Sequence, residues 1–200
     1  QELGFHLNLN NPEFPAKAIL SSEILKVTGE KNQNWIGIAP FAQYDSKVYP
    51  QDLMQKVIDL LDENPNNKIL LFGGGNKEIQ ILNQFAEGKE NVIVIAGKIT
   101  FKQELQLISN LDVMLSMDSG NAHIASMLGI KVITLWGATH PYAGFLPFNQ
   151  ALESTLVSDR NQFPKLPTSV YGNKKMEGYE DVMRSIKPEE IVEKINSNLG

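Results

Sequence analysis

The sequence predicts an α/β protein built on a doubly wound, Rossmann-like parallel sheet. Continuous apolar runs rich in Val, Ile and Leu recur along the chain, as strands covered on both faces require. Between them lie stretches with apolar residues at helical spacing, bounded by Gly, Pro, Asn or Asp. The alternation is regular from Trp35 to Trp136.

Residues 1–34 are polar and punctuated by Pro12 and Pro15, with short apolar stretches such as Ala18-Ile19-Leu20. They read as a linker or lead-in segment rather than a core element. Trp35-Ile36-Gly37-Ile38-Ala39 is a buried strand closed by Pro40. Pro50 then suits the first turn of a helix from Gln51 to about Glu63, with Leu53, Val57, Leu60 and Leu61 on one face. Lys68 to Phe72 is the next strand, followed by Gly73-Gly74-Gly75 and a helix capped by Asn76 with Ile79, Leu82 and Phe85 inward. Asn91 to Ile95 is a third strand, and Phe101 to Asn110 a helix with Leu105 and Ile108 inward. Leu111 to Met117 is a strand, the stretch through Gly129 a short helix, and Val132 to Trp136 a strand. Residues 35–147 thus form one domain. Residues 148–187, with Pro164, Pro167, Gly172 and Gly178, read as an irregular excursion. Pro188 to Ile195 is a final helix with proline and acids at its start, so 148–200 pack on the same domain.

Two hundred residues at 42% apolar content bury a core of their own. A net charge of −5 argues against binding nucleic acid through its phosphates, without excluding a local basic pocket. Zero cysteine removes disulfides and thiolate chemistry and fits a reducing compartment. No apolar run reaches the roughly eighteen residues a membrane span needs. The chain starts at Gln1 with no signal-peptide pattern, which suggests a processed or trimmed product.

The most informative segment is Asp118-Ser119-Gly120-Asn121-Ala122-His123, between a strand and a short helix. Ser119 or Asp118 can cap that helix, Gly120 admits close backbone approach, and the helix start favours a phosphate. His123 lies about one turn further on and faces the same mouth. Three other strand ends converge there: the loop Phe41 to Lys47, the Gly73-Gly74-Gly75 turn, and Ala96-Gly97-Lys98-Ile99. Each also has a plain structural reading: a solvated lysine, a flexible turn, a helix cap followed by a core histidine. Neither GxGxxG nor GxxxxGK[ST] is present, and no GxSxG elbow. His6, His123 and His140 without cysteine leave no metal-site spacing. Glu104, Asp112 and the acids near Glu177 read as solvated surface. His140 and Tyr142 either touch ligand or serve as turn residues.

Asp118-Ser119-Gly120 followed by Ala122-His123-Ile124-Ala125, then Gly129 and Leu135-Trp136-Gly137-Ala138-Thr139-His140-Pro141, resembles the ADP-heptose:lipopolysaccharide heptosyltransferases, glycosyltransferase family 9. Lys47-Val48-Tyr49-Pro50 is similar to that family's lysine-aromatic-proline step, and Gly73-Gly74 with Glu78 to its acidic helix start. The likeness runs through residues 35–145 in order. It implies one lobe of a GT-B glycosyltransferase, the carboxy-terminal lobe that holds a sugar nucleotide, ADP or an ADP-sugar. It also implies that residues 1–34 are the interlobe connection, and that an amino-terminal lobe supplies the catalytic base and holds a lipid-linked saccharide acceptor. By resemblance Lys47 stabilises the diphosphate leaving group, Asp118 binds sugar hydroxyls, and Ser119 and Gly120 offer donors to phosphate. His123 stands near sugar or phosphate, Glu78 contacts the nucleoside, and Lys98 and Ile99 flank the base. Gln43 and Thr139 complete the binding set. Ala42-Gln43 depart from the paired hydroxyls common in the family, and Tyr49 stands where tryptophan is common. The implied protein needs no metal, is cytoplasmic at the inner membrane, and loses transfer activity as this piece alone. The alternatives are an NDP-sugar epimerase-like enzyme and a non-catalytic sugar-nucleotide-binding module.

Overall fold

A computed structural model describes Gly4 and residues 11–199. Its centre is a sheet of six strands in the order β3-β2-β1-β4-β5-β6. These are β1 Asn34–Ala39, β2 Asn67–Leu71, β3 Val92–Val94, β4 Val113–Met117, β5 Lys131–Trp136 and β6 Thr155–Val157. Every pairing is parallel. The helices are α1 Ser22–Thr28, α2 Gln51–Asp62, α3 Gly75–Ala86, α4 Phe101–Ile108, α5 Gly120–Met127 and α6 Pro188–Asn196.

Side chains alternate across a strand, so neighbours in sequence enter opposite cores. Ile36, Ile38, Ile69, Leu71, Val113 and Leu115 meet α2, α3 and α6 through Val57, Ile58, Leu82 and Ile191. Trp35, Leu70, Met114 and Val132 meet the other helices through Ile24, Leu107, Ile108, Ala122 and Ala125. The sheet is therefore covered on both faces, which is why its strands carry no polar face. The chain runs outward from β1 through β2 to β3, returns to β4 beside β1, and continues outward through β5 to β6.

Two stretches differ from expectation. Within residues 1–34, α1 is a core element: Ile24 is fully buried, and Leu20 and Val27 pack beside it. Its helical spacing of Leu20, Ile24 and Val27 is hidden in a polar segment too short to show periodicity. Within residues 148–187, Thr155–Val157 adds a strand to the sheet edge. Three half-buried residues carry no alternation that would reveal it. Asp112 is not idle surface either, since it accepts the Trp35 N–H at 2.7 Å and pairs with Lys31.

Candidate functional site

β1 and β4 are neighbours, but β1 leads to α2 on one face and β4 to α5 on the other. The outgoing connections part, leaving a crevice at the carboxyl ends of the strands. Two adjoining cavities occupy it. One, about 340 Å³, lies between Phe41, Ala42 and Gln43, the Phe72-Gly73-Gly74 turn with Glu78, and the start of α5 with Asn121 and Ile124. The other, about 300 Å³, is lined by Tyr44, Lys47, Asp118, His123, Phe145 and Tyr171. Gln43, Ser119 and Gly120 line both, so they are halves of one mouth.

The β2 side is shaped by main chain. The Glu78 carboxylate accepts the Gly74 N–H at 2.7 Å, closing the start of α3. Gly74 is the N-cap and Asn76 lies inside the helix, so the capping role expected for Asn76 falls to Glu78. An acid in the first turn also offsets the positive end of the helix. A Cβ on Gly73 would come within 3.0 Å of Glu78 and 3.2 Å of Phe41, so the turn is already close-packed.

The α5 side leaves its donors open. Ser119 occupies the N-cap position but makes no side-chain cap; its hydroxyl lies 3.1 Å from that of Ser116. Helix α4 differs, with Thr100 and Gln103 forming a complete capping box. The first turn of α5 contains no acid, so its N–H groups and dipole present positive potential to the cavity.

Asp118, at the end of β4, is buried, and its Oδ2 accepts from Lys47 Nζ at 3.0 Å and Thr139 Oγ1 at 2.9 Å. Lys47 comes from a 3₁₀ turn, Asp45–Lys47, that follows β1. Tyr49 roots that turn: its ring is buried and its hydroxyl donates to the Ile186 carbonyl at 2.7 Å. Burial pushes the Tyr49 phenol well above its ordinary range, so it stays a donor. Thus a cation, an anion and a helix start share one edge of the mouth, with His123 and the Phe145–Tyr171 ring pair, 5.8 Å apart, around it.

Of the residues singled out in the sequence, Gln43, Lys47, Gly73, Gly74, Glu78, Asp118, Ser119, Gly120 and His123 line the mouth, and Thr139 stands behind Asp118. Lys98 and Ile99 do not line either cavity. Lys98 is exposed in the turn after β3, and Ile99 packs on the second core. His140 is a turn residue, its Nδ1 accepting the Tyr142 N–H at 3.3 Å. Burial, with Arg160 adding to it, holds the His140 imidazole below its ordinary value. His6 lies outside the described residues. Among the described residues, no three His, Asp or Glu side chains gather as a metal site. Tyr44, Phe145 and Tyr171 also line the mouth, and the sequence did not single them out. An aromatic in a loop or in a Gly- and Pro-rich stretch is the local signal each leaves.

The sequence profile of Glycosyltransferase family 9 (heptosyltransferase) matches residues 1–175. Lipopolysaccharide heptosyltransferase 3 of Escherichia coli is 31% identical over 109 residues, covering 54% of this chain and 32% of that protein. Among solved structures, E. coli ADP-heptose LPS heptosyltransferase II superposes with a TM-score of 0.68 at 20% identity, covering 95% of this chain and 55% of that one. E. coli heptosyltransferase WaaC with ADP does so with a TM-score of 0.61 at 20% identity, covering 84% and 45%. These matches thus take in roughly a third to a half of each relative's length.

Proposed function

Because this chain belongs to glycosyltransferase family 9, we propose that its switch-point mouth holds the sugar-nucleotide donor of a heptosyl transfer to a lipopolysaccharide-core type acceptor. One observation carries the reading most: Lys47, Asp118, Thr139 and the uncapped start of α5 converge on one edge of a cavity sized for part of a nucleotide. The donor is ADP-heptose or a close NDP-sugar. Its nucleoside takes the cavity beside Glu78 and Gly73, and its diphosphate lies along Ser119 and Gly120 towards Lys47. Asp118 then meets sugar hydroxyls, with His123 beside sugar or phosphate.

The chemistry is displacement at the anomeric carbon by an acceptor hydroxyl. The bond to the diphosphate oxygen breaks as the bond to the acceptor oxygen forms, and negative charge gathers on the departing diphosphate. Lys47 and the α5 N–H groups face that charge and are already oriented, so little reorganisation is needed at the moment of reaction. Asp118 fixes the ammonium and Thr139 fixes Asp118. These donors supply the neutralisation that a bound divalent ion would otherwise provide, so we assign no metal to the step. The acceptor proton goes to a base in a second lobe, which also reads the lipid-linked saccharide. In this reading α1 and residues 35–147 form the lobe that holds the donor, and residues 148–200 buttress it and bring Tyr171 to the mouth. The whole protein works at the cytoplasmic side of the inner membrane. Among the described residues no helix is long and apolar enough to cross a membrane.

The experiment is turnover and binding with these 200 residues. Titration with ADP, UDP, GDP and their sugars should give binding with an adenine preference, unaffected by chelator. Incubation with ADP-heptose and acceptor should give no transferred sugar. Preference for another base, or sugar transfer by this chain alone, contradicts the corresponding part.

A further inference from the structure

The excursion that looked irregular in sequence grips the turn carrying Lys47. Thr168 donates its N–H to the Ala138 carbonyl at 2.9 Å, and Ala138 donates its own N–H to the Ser46 carbonyl at 3.1 Å. The Ser46 hydroxyl donates in turn to the Gly172 carbonyl. The strap 168–172 and the β5 loop therefore hold the residue before Lys47 by both its carbonyl and its hydroxyl.

Two glycines fill this contact, and neither leaves room for a side chain. A Cβ on Gly137 would sit 2.5 Å from the Ser46 carbonyl oxygen. A Cβ on Gly172 would sit 2.8 Å from both Cγ and Cδ of Lys47 and 3.2 Å from the Thr139 methyl. Gly172 is itself buried and has φ +77°, a conformation that side chains rarely adopt. The stem of Lys47 thus lies against a bare α-carbon more than a hundred residues away, and its ammonium reaches Asp118 with only 13% of the side chain exposed.

We infer that Gly172 is a positioning residue for Lys47: by presenting no side chain it seats the lysine stem and aims the ammonium at the edge shared by Asp118 and the start of α5. A free lysine stem samples many rotamers, so a seat that removes this freedom before ligand arrives makes the cation a fixed donor. The inference deepens the function proposed above, resting on it only for the consequence at the diphosphate.

The test separates the two. Reductive methylation read by peptide mass spectrometry reports how often the Lys47 ammonium leaves its pair, with no ligand present. Lys89, paired with Asp59 at 3.1 Å on another part of the surface, is the internal reference. Gly172→Ala should raise the labelling rate of Lys47 on the order of tenfold, the factor for weakening its seat by one decade in equilibrium constant. Lys89 should be unchanged. If Lys89 also accelerates, the variant has lost its fold and Ser46→Ala decides, since it removes the anchor to Gly172 without adding an atom. A Lys47 rate equal to the parent's in a folded Gly172→Ala protein, or in Ser46→Ala where that variant decides, overturns the inference.

The same proteins are titrated with ADP and with adenosine. Gly172→Ala should weaken ADP and leave adenosine unchanged, and should cost nothing further in a Lys47→Ala background. A full additional loss in that background means Gly172 acts without Lys47 and also overturns the inference. Faster labelling of Lys47 with unchanged ADP affinity leaves the positioning standing and removes the diphosphate role of Lys47 instead.

Discussion

The two sides of the mouth are built on different principles. On the β2 side the surface is the end of a strand, a glycine turn and a helix start closed by its own Glu78, with contacts spanning a few residues. On the β5 side it is side chains joined across the chain: Lys47 to Asp118, Asp118 to Thr139, and Gly172 against Lys47. The first side is held locally, by the Glu78 carboxylate on the Gly74 N–H and by close packing around Gly73. The second is rigid only while several distant segments agree. A local wall suits a flat, neutral ligand part, and a stitched wall can hold a buried charge in place. The contrast supports the proposed placement of nucleoside at the first and diphosphate at the second.

The largest effect should come from Lys47→Ala. It should weaken ADP by about tenfold to a hundredfold, as expected for losing hydrogen bonds to a charged group, while adenosine affinity is unchanged. Equal losses for ADP and adenosine would erase the division between the walls. The substitution also leaves the buried Asp118 carboxylate with Thr139 and no cation, so stability should fall by up to about 3 kcal/mol, read as a lower melting temperature. Thr139→Val comes next. It deletes one of two partners of Asp118 at a fully buried position and should cost about 1 kcal/mol by chemical denaturation, with a few-fold weakening of ADP.

Glu78→Ala tests the other wall. Losing the carboxylate at the α3 start should cost about 0.5 to 1 kcal/mol of stability and weaken ADP and adenosine by the same factor. A selective loss of ADP would place phosphate on the wrong side. The smallest effect is at His140, outside the mouth. Its folded imidazole titrates below its ordinary value of about 6.5, so the unfolded chain binds the proton first as pH falls. Stability from this group is fully present above that ordinary value and is lost as pH falls through the lower folded value. His140→Asn keeps an acceptor for the Tyr142 N–H and should flatten the fall in melting temperature below pH about 6.5. A parent-like pH profile in the variant would contradict this.

The same contrast explains what the sequence made legible. Strands β1, β2, β4 and β5 were plain because burial on both faces forces continuous Val, Ile and Leu, as in Ile69-Leu70-Leu71. The Asp118 to His123 segment was legible because a strand end, a glycine and a helix start lie within six residues. Glu78 taking the capping role expected of Asn76 goes with a two-residue shift of the N-cap, from Asn76 to Gly74, where three glycines blur the boundary. Ile24 was hidden because α1 has only seven residues, and most of its energy comes from the core it touches. Gly172 showed only as one mark of an irregular stretch. Its meaning lies in a contact with Lys47, and nothing near residue 172 encodes that distance. Lys98 and Ile99 follow β3 as their place in the sequence suggests, in a turn that lies against α3 and the second core and lines neither cavity.

The most direct test of the central claim is calorimetric titration of this chain with ADP and with adenosine at two salt concentrations. The account predicts that ADP binds more tightly than adenosine, and that raising salt narrows the gap because it screens the partly exposed ammonium and helix start. Absence of ADP binding, or ADP and adenosine binding alike at both salt concentrations, would contradict it.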